Sequence, residues 1–290
     1  MAEWSIRVLE YAHCLVQPVG TILYGAFNEG TRSFPYSYVY LRGEGRHVLV
    51  DVGYDAERFG GELAAKYDVI DWQDADAVLA KVGIRPEDID TVILTHAHYD
   101  HMGNLGKFPN AKVYLQAREV RRWQDAIALG PKFAALTGAL DPADVLYAVE
   151  LAAEGRLELV DGPVDDVLPG IDLRPAFDTH TEGSQYVVVR SGSETWVVTG
   201  DNAFSYENAE GIDGDGVYVP IGFGTGGAFN NLLLIDEMVR AAGTPQKLVI
   251  VHEGDTFRRF PSWTGEDRLS VAELRVAPGD RSYLPPEGAR

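Results

Sequence analysis

The stretch Thr95-His96-Ala97-His98-Tyr99-Asp100-His101 constrains this chain more than any other, because it sets three imidazoles and a carboxylate within seven consecutive positions. The preceding Thr91-Val92-Ile93-Leu94 is a short β-branched run that reads as a buried strand, so the cluster stands where a strand opens into a loop. Residues two apart in an extended segment point the same way, which lets His96 and His98 grip one ion. Asp100 and His101 lie past the bend and can serve a second ion, since carboxylate oxygen and neutral imidazole both suit zinc and similar first-row metals. The chain has seven histidines in all, and three of them in one loop read as a metal site rather than as incidental polarity.

Half-filled coordination spheres require ligands from elsewhere, and three candidates stand at or just beyond the ends of later strands. His180 follows the strand expected at Ile171 to Pro175, Asp201 follows Thr195 to Thr199, and His252 is delivered by Leu248 to Val251. A carboxylate at position 201 can bridge two ions and hold them close enough to share a hydroxide. Asp51 ends the hairpin strand His47 to Val50, from where it can accept a hydrogen bond from a metal-bound imidazole.

The 290 residues are 46% hydrophobic, enough for a substantial core, and we expect one domain over 1–290. With Lys+Arg 25 against Asp+Glu 44, the net charge of −19 would repel nucleic acid and anionic membranes, leaving a small molecule as the expected partner. The single cysteine, Cys14, rules out a disulfide framework and cysteine-built metal sites. Neither a leader nor a long apolar run is visible, so the expected location is the cytoplasm.

Strands are expected at Ser5 to Glu10, in a hairpin of Ser37 to Leu41 with His47 to Val50, and at Lys112 to Leu115, Leu157 to Val160 and Gln185 to Arg190. Helices are expected at Ala56 to Lys66, at Ala75 to Val82 with Asp74 as N-cap, and at Asn231 to Ala242. Residues 118–154 read as a helical insert. Gln17 to Tyr36 is aromatic without a clear period, and it reads as a loop that either folds on the core or walls a substrate pocket with Phe27, Phe34 and Tyr36, joined by Phe204 and Tyr206. Gly222 to Gly227 fits G-x-G-x-x-G but lacks the βαβ setting, so it reads as a flexible loop and not as a dinucleotide site. After residue 260 the chain reads as a polar tail with one short helix around Val271.

With His96, His98, Asp100, His101, His180, Asp201, His252 and the Asp51-Val52-Gly53 strand end in place, the chain resembles the metallo-β-lactamase superfamily. That resemblance implies an α/β fold, a four-layered αβ/βα sandwich with its site in the cleft between two sheets. It also implies that His96, His98 and His180 bind one metal, that Asp100, His101 and His252 bind the second, and that Asp201 bridges them. Length, the early aromatic stretch and Gly53-Tyr54-Asp55 are similar to the N-acyl homoserine lactonase and pyridoxolactonase branch, in which a homodimer is expected. The chain departs from that branch at Phe204, where those lactonases carry a tyrosine, and at Asp178-Thr179, which replaces Pro-Gly before the third histidine.

The expected function is therefore a dinuclear metal-dependent hydrolase that opens a lactone by attack of a metal-bridging hydroxide, with Asp100 doubling as proton shuttle. The cofactor is two divalent ions, zinc first, with manganese, iron or cobalt as alternatives. The competing readings are hydrolysis of a lactam or other amide, a thioester or a phosphotriester by the same centre, and a non-catalytic metal-binding member of the fold.

Overall fold

The computed structural model describes residues 1–285, and residues 286–290 of the expected domain and tail lie outside it. The first half of the chain builds β1 (Trp4–Pro18), β2 (Thr31–Gly43), β3 (Arg46–Val50), β4 (Val69–Ile70), β5 (Thr91–Ile93), β6 (Lys112–Gln116) and β7 (Leu157–Val160). There follow β8 (Val164–Leu168), β9 (Ile171–Pro175), β10 (Gln185–Ser191), β11 (Glu194–Val198), β12 (Leu248–Val249), β13 (Ser262–Thr264) and β14 (Ser270–Arg275). One sheet runs in the order β13-β14-β1-β2-β3-β5-β6-β7, with β4 beside β1, and the other runs β12-β11-β10-β9-β8.

Alternation along the strands decides the layering, because each sheet is apolar on both faces. Ile6, Val8, Val39 and Leu41 meet Val187, Val189, Trp196 and Val198 in the core between the sheets. Their neighbours Tyr38 and Tyr40 point the opposite way, into a core shared with Leu63, Val78, Leu79 and Leu151 of the helices Phe59–Lys66, Ala75–Ala80 and Pro142–Ala153. On the far side Tyr186, Val188 and Val197 pack on Leu234, Ile235 and Met238 of the helix Ala228–Ala242. Helix, sheet, sheet and helix form the expected αβ/βα sandwich.

The expected tail is part of this sheet rather than an appendage. Residues around Val271 are strand β14, antiparallel to β1 with Val271 opposite Leu9, and not a helix. Polar residues disguised it, because their partners are internal: fully buried Arg7 meets Glu273 at 3.1 Å and Asp280 at 3.0 Å. Strands β1 and β2 also run further than their alternation indicates, so Phe34 and Tyr36 are strand residues. Register shifts between Glu10 and Ala12 and between Cys14 and Gln17 break the period that would have revealed it. The 118–154 insert holds the helices Ala117–Ala128 and Pro142–Ala153 around a 3-10 turn at Pro131–Phe133. Among the described residues no helix is long and apolar enough to cross a membrane.

What matters for function is where strands end. Strands β3, β5, β6 and β7 are mutually parallel, as are β11 and β12; Asp51 and His96 to His101 follow the carboxyl ends of β3 and β5, Asp201 and His252 those of β11 and β12, and His180 that of β9. Backbone carbonyls and amides there are free of the ladder and side chains converge on a cleft.

Candidate metal centre

Asp51, one residue beyond β3, is fully buried and sits at φ 63° in the left-handed region. Its carboxylate accepts from the Thr95 backbone N–H at 2.7 Å and from the Thr95 hydroxyl at 2.8 Å, which fixes the path of the chain leaving β5. His96 and His98 follow, His98 in extended geometry, and the single-turn helix Tyr99–Met102 then swings Asp100 and His101 to the other side. Gly200 brings in the last carboxylate. It stands at φ +53° with room for no Cβ, which would lie 2.7 Å from the Thr95 side chain.

The seven expected ligands converge in two groups, His96, His98, His180 and Asp201 in one and Asp100, His101 and His252 in the other, all of them buried. Asp201 joins the groups. Its Oδ2 is 3.2 Å from His180 Nε2 and 3.7 Å from His96 Nε2, while its Oδ1 is 3.2 Å from both His101 Nε2 and His252 Nε2. Within the first group, His98 Nδ1 is 3.1 Å from His96 Nε2 and 2.9 Å from His180 Nε2. In the second, Asp100 Oδ2 is 3.4 Å from His101 Nε2 and 3.7 Å from His252 Nε2.

The outer nitrogens settle what the inner ones are. His180 Nδ1 faces the Phe223 carbonyl at 3.1 Å, His252 Nδ1 faces the Pro35 carbonyl at 2.7 Å, and His101 Nδ1 faces Asp51 Oδ2 at 2.8 Å. Each of these partners only accepts, so each outer nitrogen carries a proton and the inner nitrogen is the one left to ligate a cation. Burial, reinforced by the neighbouring histidines, holds His96 well below the usual imidazole range and His98 down to about 3. His101 is pushed the other way, since the carboxylates of Asp201, Asp100 and Asp51 outweigh its burial. Asp201 Oδ1 is buried with no hydrogen-bond partner. Converging lone pairs and an orphaned carboxylate oxygen fit divalent cations, which this donor set would hold as a closely spaced pair.

The family model described as the metallo-beta-lactamase superfamily matches residues 30–251, three quarters of the chain and nearly all of this site. The chain belongs to the metallo-β-lactamase superfamily. Among curated proteins it is 29% identical over 139 residues to a probable metallo-hydrolase of Mycobacterium tuberculosis, covering 47% of this chain and 43% of that protein. It is 32% identical over 83 residues to an N-acyl homoserine lactonase of Azorhizobium caulinodans, covering 25% of this chain and 31% of that protein. The chain thus matches less than half the length of these curated relatives. Among solved structures, a quorum-quenching N-acyl homoserine lactone lactonase superposes with a TM-score of 0.64 at 17% identity, covering 90% of this chain and 97% of that one. A hydrolase of the β-lactamase superfamily gives a TM-score of 0.65 at 18% identity and 94% coverage of both chains.

Two supports of this superfamily site escape sequence reading. Glu119, on the first turn of the helix Ala117–Ala128, is buried and accepts four hydrogen bonds. Ala97 N–H (2.9 Å) and Trp123 Nε1–H (2.7 Å) reach one oxygen, while the Thr181 hydroxyl (2.7 Å) and Gly183 N–H (3.0 Å) reach the other. It therefore ties the His96–His98 loop to the His180 loop. The signal was an acidic residue in an otherwise amphipathic helix, which reads as solvent-facing. The second support is Gly222 to Gly227, which is not a free loop. Besides the Phe223 carbonyl on His180, Thr225 N–H donates to the His180 carbonyl at 2.9 Å and Gly227 N–H to the Asp178 carbonyl at 3.0 Å. A Cβ at Gly226 would lie 2.2 Å from the Thr179 carbonyl oxygen, so glycine is required for this clasp.

Beside the metal centre lies a cavity of about 360 Å³, whose lining includes Phe34, Tyr36, Phe204 and Phe223 together with Asp100 and His252. Phe34 stacks on the His252 imidazole, centroids 4.3 Å apart, and Phe204 stands edge-on to His180 at 5.6 Å. The other two expected pocket residues lie elsewhere. Phe27 is 70% exposed and rests on Tyr24, outside the cavity lining. Tyr206 is buried against Arg259, whose guanidinium lies 3.8 Å over its ring, because the turn after Asp201 carries it off the cleft.

Proposed function

We propose that the chain is a dinuclear metal-dependent hydrolase that opens a lactone, with zinc as the first candidate ion. The observation that carries this reading is Asp201, whose two oxygens face the two ligand groups separately beside an aromatic cavity. Two divalent ions in these groups would bring the pKa of a water towards neutrality and polarise a carbonyl oxygen.

The protein's own residues set the rest. Asp51, Pro35 and Phe223 hold the imidazoles with their lone pairs inward, so the donor set needs no rearrangement to receive cations. Asp100 is the carboxylate that lines the cavity from the second group, placed to take a proton from the attacking water and return it to the leaving oxygen. Phe34, Phe204 and Phe223 exclude water from the approach. Outside the ligand set the cavity's charged side chains are Lys66 and Asp68, of opposite sign, and much of the remaining wall is apolar, which suits a neutral lactone. Phosphotriesters share that neutrality and are the second reading, because Phe204 offers an apolar wall where a tyrosine hydroxyl would bias the site to a carbonyl.

A pH-stat assay of metal-loaded protein against acyl homoserine lactones and simple γ- and δ-lactones tests this, since ring opening releases a proton. Turnover that is lost in Asp201→Ala is the expected result. Intact lactones beside protein holding two equivalents of metal would sink the lactonase reading and move the search to phosphotriesters.

A further inference from the structure

The single-turn helix that carries Asp100 and His101 is held from outside. The Gly103 N–H closes its one turn on the Tyr99 carbonyl at 2.9 Å. The next two carbonyls find their partners across the fold: Asp100 accepts from the Tyr11 hydroxyl at 2.7 Å, and His101 from the Val52 N–H at 2.9 Å. These are the carbonyls that a helix end leaves without a partner of its own. Two consecutive ligands are thereby tied through their main chain to β1 and to the segment after β3.

Tyr11 reaches Asp100 because β1 is irregular where it stands. Glu10 lies opposite Ser37 and Ala12 opposite Tyr36, so Tyr11 is the extra residue of a bulge, and both Tyr11 and Ala12 face the core shared with the helices. A bulge re-aims a side chain that the strand's alternation would point elsewhere. The ring then stacks on Tyr38 at 5.4 Å and stands edge-on to Tyr54 at 5.8 Å. Gly53, at φ +75°, makes room for it, since a Cβ there would lie 3.3 Å from the Tyr11 ring. Asp51, Val52 and Gly53 therefore serve one end in succession, through the His101 ring, the His101 carbonyl and the passage of Tyr11 to Asp100.

We propose that Tyr11 is a positioning residue for the second metal ion: its hydroxyl fixes the Asp100 main chain and so sets how the Asp100 carboxylate is presented to that ion. The proposal rests on the dinuclear reading. Tyr11 does not line the cavity, so it acts through Asp100 and not on a substrate. Loss of the hydroxyl leaves the Asp100 carbonyl without that donor and its turn less ordered. The first group is held separately, by Glu119 on the His96–His98 loop and by the Phe223 carbonyl on His180, so the effect falls on one ion of the two.

The test titrates cobalt(II) into metal-free parent and Tyr11→Phe protein, followed by visible absorption. His252→Ala removes a ligand of the second group alone and so marks which equivalent of cobalt belongs there. Tyr11→Phe, which keeps the stacked ring, is expected to weaken that equivalent by about three- to tenfold, to shift its absorption bands, and to change the other equivalent by less than about twofold. Tyr38→Phe removes a buried hydroxyl that has no hydrogen-bond partner from the ring stacked on Tyr11, and should bind both equivalents as the parent does. Parent-like binding and bands in Tyr11→Phe, equal weakening of both equivalents, or the same selective loss in Tyr38→Phe would each overturn the proposal. Fewer than two equivalents in the parent would refute the dinuclear reading itself, whereas two equivalents bound alike by parent and Tyr11→Phe would refute the role of Tyr11 alone.

Discussion

Asp51 Oδ2 lies 2.8 Å from His101 Nδ1, and the same carboxylate receives both the N–H and the hydroxyl of Thr95. One buried group thus fixes the protonated nitrogen of a second-group ligand and the start of the loop that carries the first. Asp51→Asn keeps a residue that tolerates the left-handed backbone, so it isolates the charge. Affinity for the more weakly held ion is expected to fall about 10- to 100-fold, measured by competition with a chromophoric chelator.

Burial pushes the Glu119 carboxyl above its usual range, and four donors, two on each oxygen, act against that by holding the charged form. Glu119→Gln turns an NH₂ toward two N–H or O–H donors, and we expect a loss of about 1–3 kcal/mol in urea unfolding. Because the two loops it joins carry His96, His98 and His180, metal release to a chelator should quicken in the same variant. Unchanged release would show that the loops are held without it.

Phe34 and Phe27 make a matched pair, one buried on the His252 ring and the other 70% exposed. Phe34→Ala is expected to cost about 3–5 kcal/mol of stability and to raise KM in the proposed hydrolysis. Phe27→Ala should leave KM unchanged and stability within about 0.5 kcal/mol. Equal effects on KM would place Phe27 in the pocket after all.

His13 stands on β1 opposite Pro35, its ring between Glu10 at 3.2 Å and Asp71 at 2.9 Å. The hydrogen bond to Glu10 raises its pKa above the usual imidazole value, although burial and Arg268 act the other way. A raised folded value means that the stabilisation is fully present below about pH 6.5, the unfolded value, and is lost as pH rises through the folded one. At saturating metal, His13→Gln should flatten the decline of unfolding free energy just above pH 6.5. A slope equal to that of the parent protein would assign the decline to other groups.

Much of the centre was legible because its chemistry is local. His96 to His101 lie within one strand end, and their spacing alone separates two ligand pairs. Asp201 and His252 could be read because each follows a β-branched run, and His180 as a histidine in the loop after a strand. Asp74 was legible as an N-cap because capping is local, and its carboxylate does accept from the Ala77 N–H at 3.0 Å. Strand β14 was not, since Arg7 and Glu273 look like surface residues until the chain returns to pair them.

The sequence by itself determined the ligand types, their order, the alternating runs that make a two-sheet sandwich, and the family these imply. Only the tertiary structure decided which way each imidazole faces, because carbonyls at Pro35 and Phe223 and the carboxylate of Asp51 orient rings far away along the chain. It also decided which aromatics wall the cleft. Phe34 and Phe204 meet across 170 residues while Tyr206, two positions after Phe204, turns away. Coordination depends on residue identity and short spacing, which a sequence records. Orientation and enclosure depend on contacts between distant segments, which exist only once the two sheets have packed.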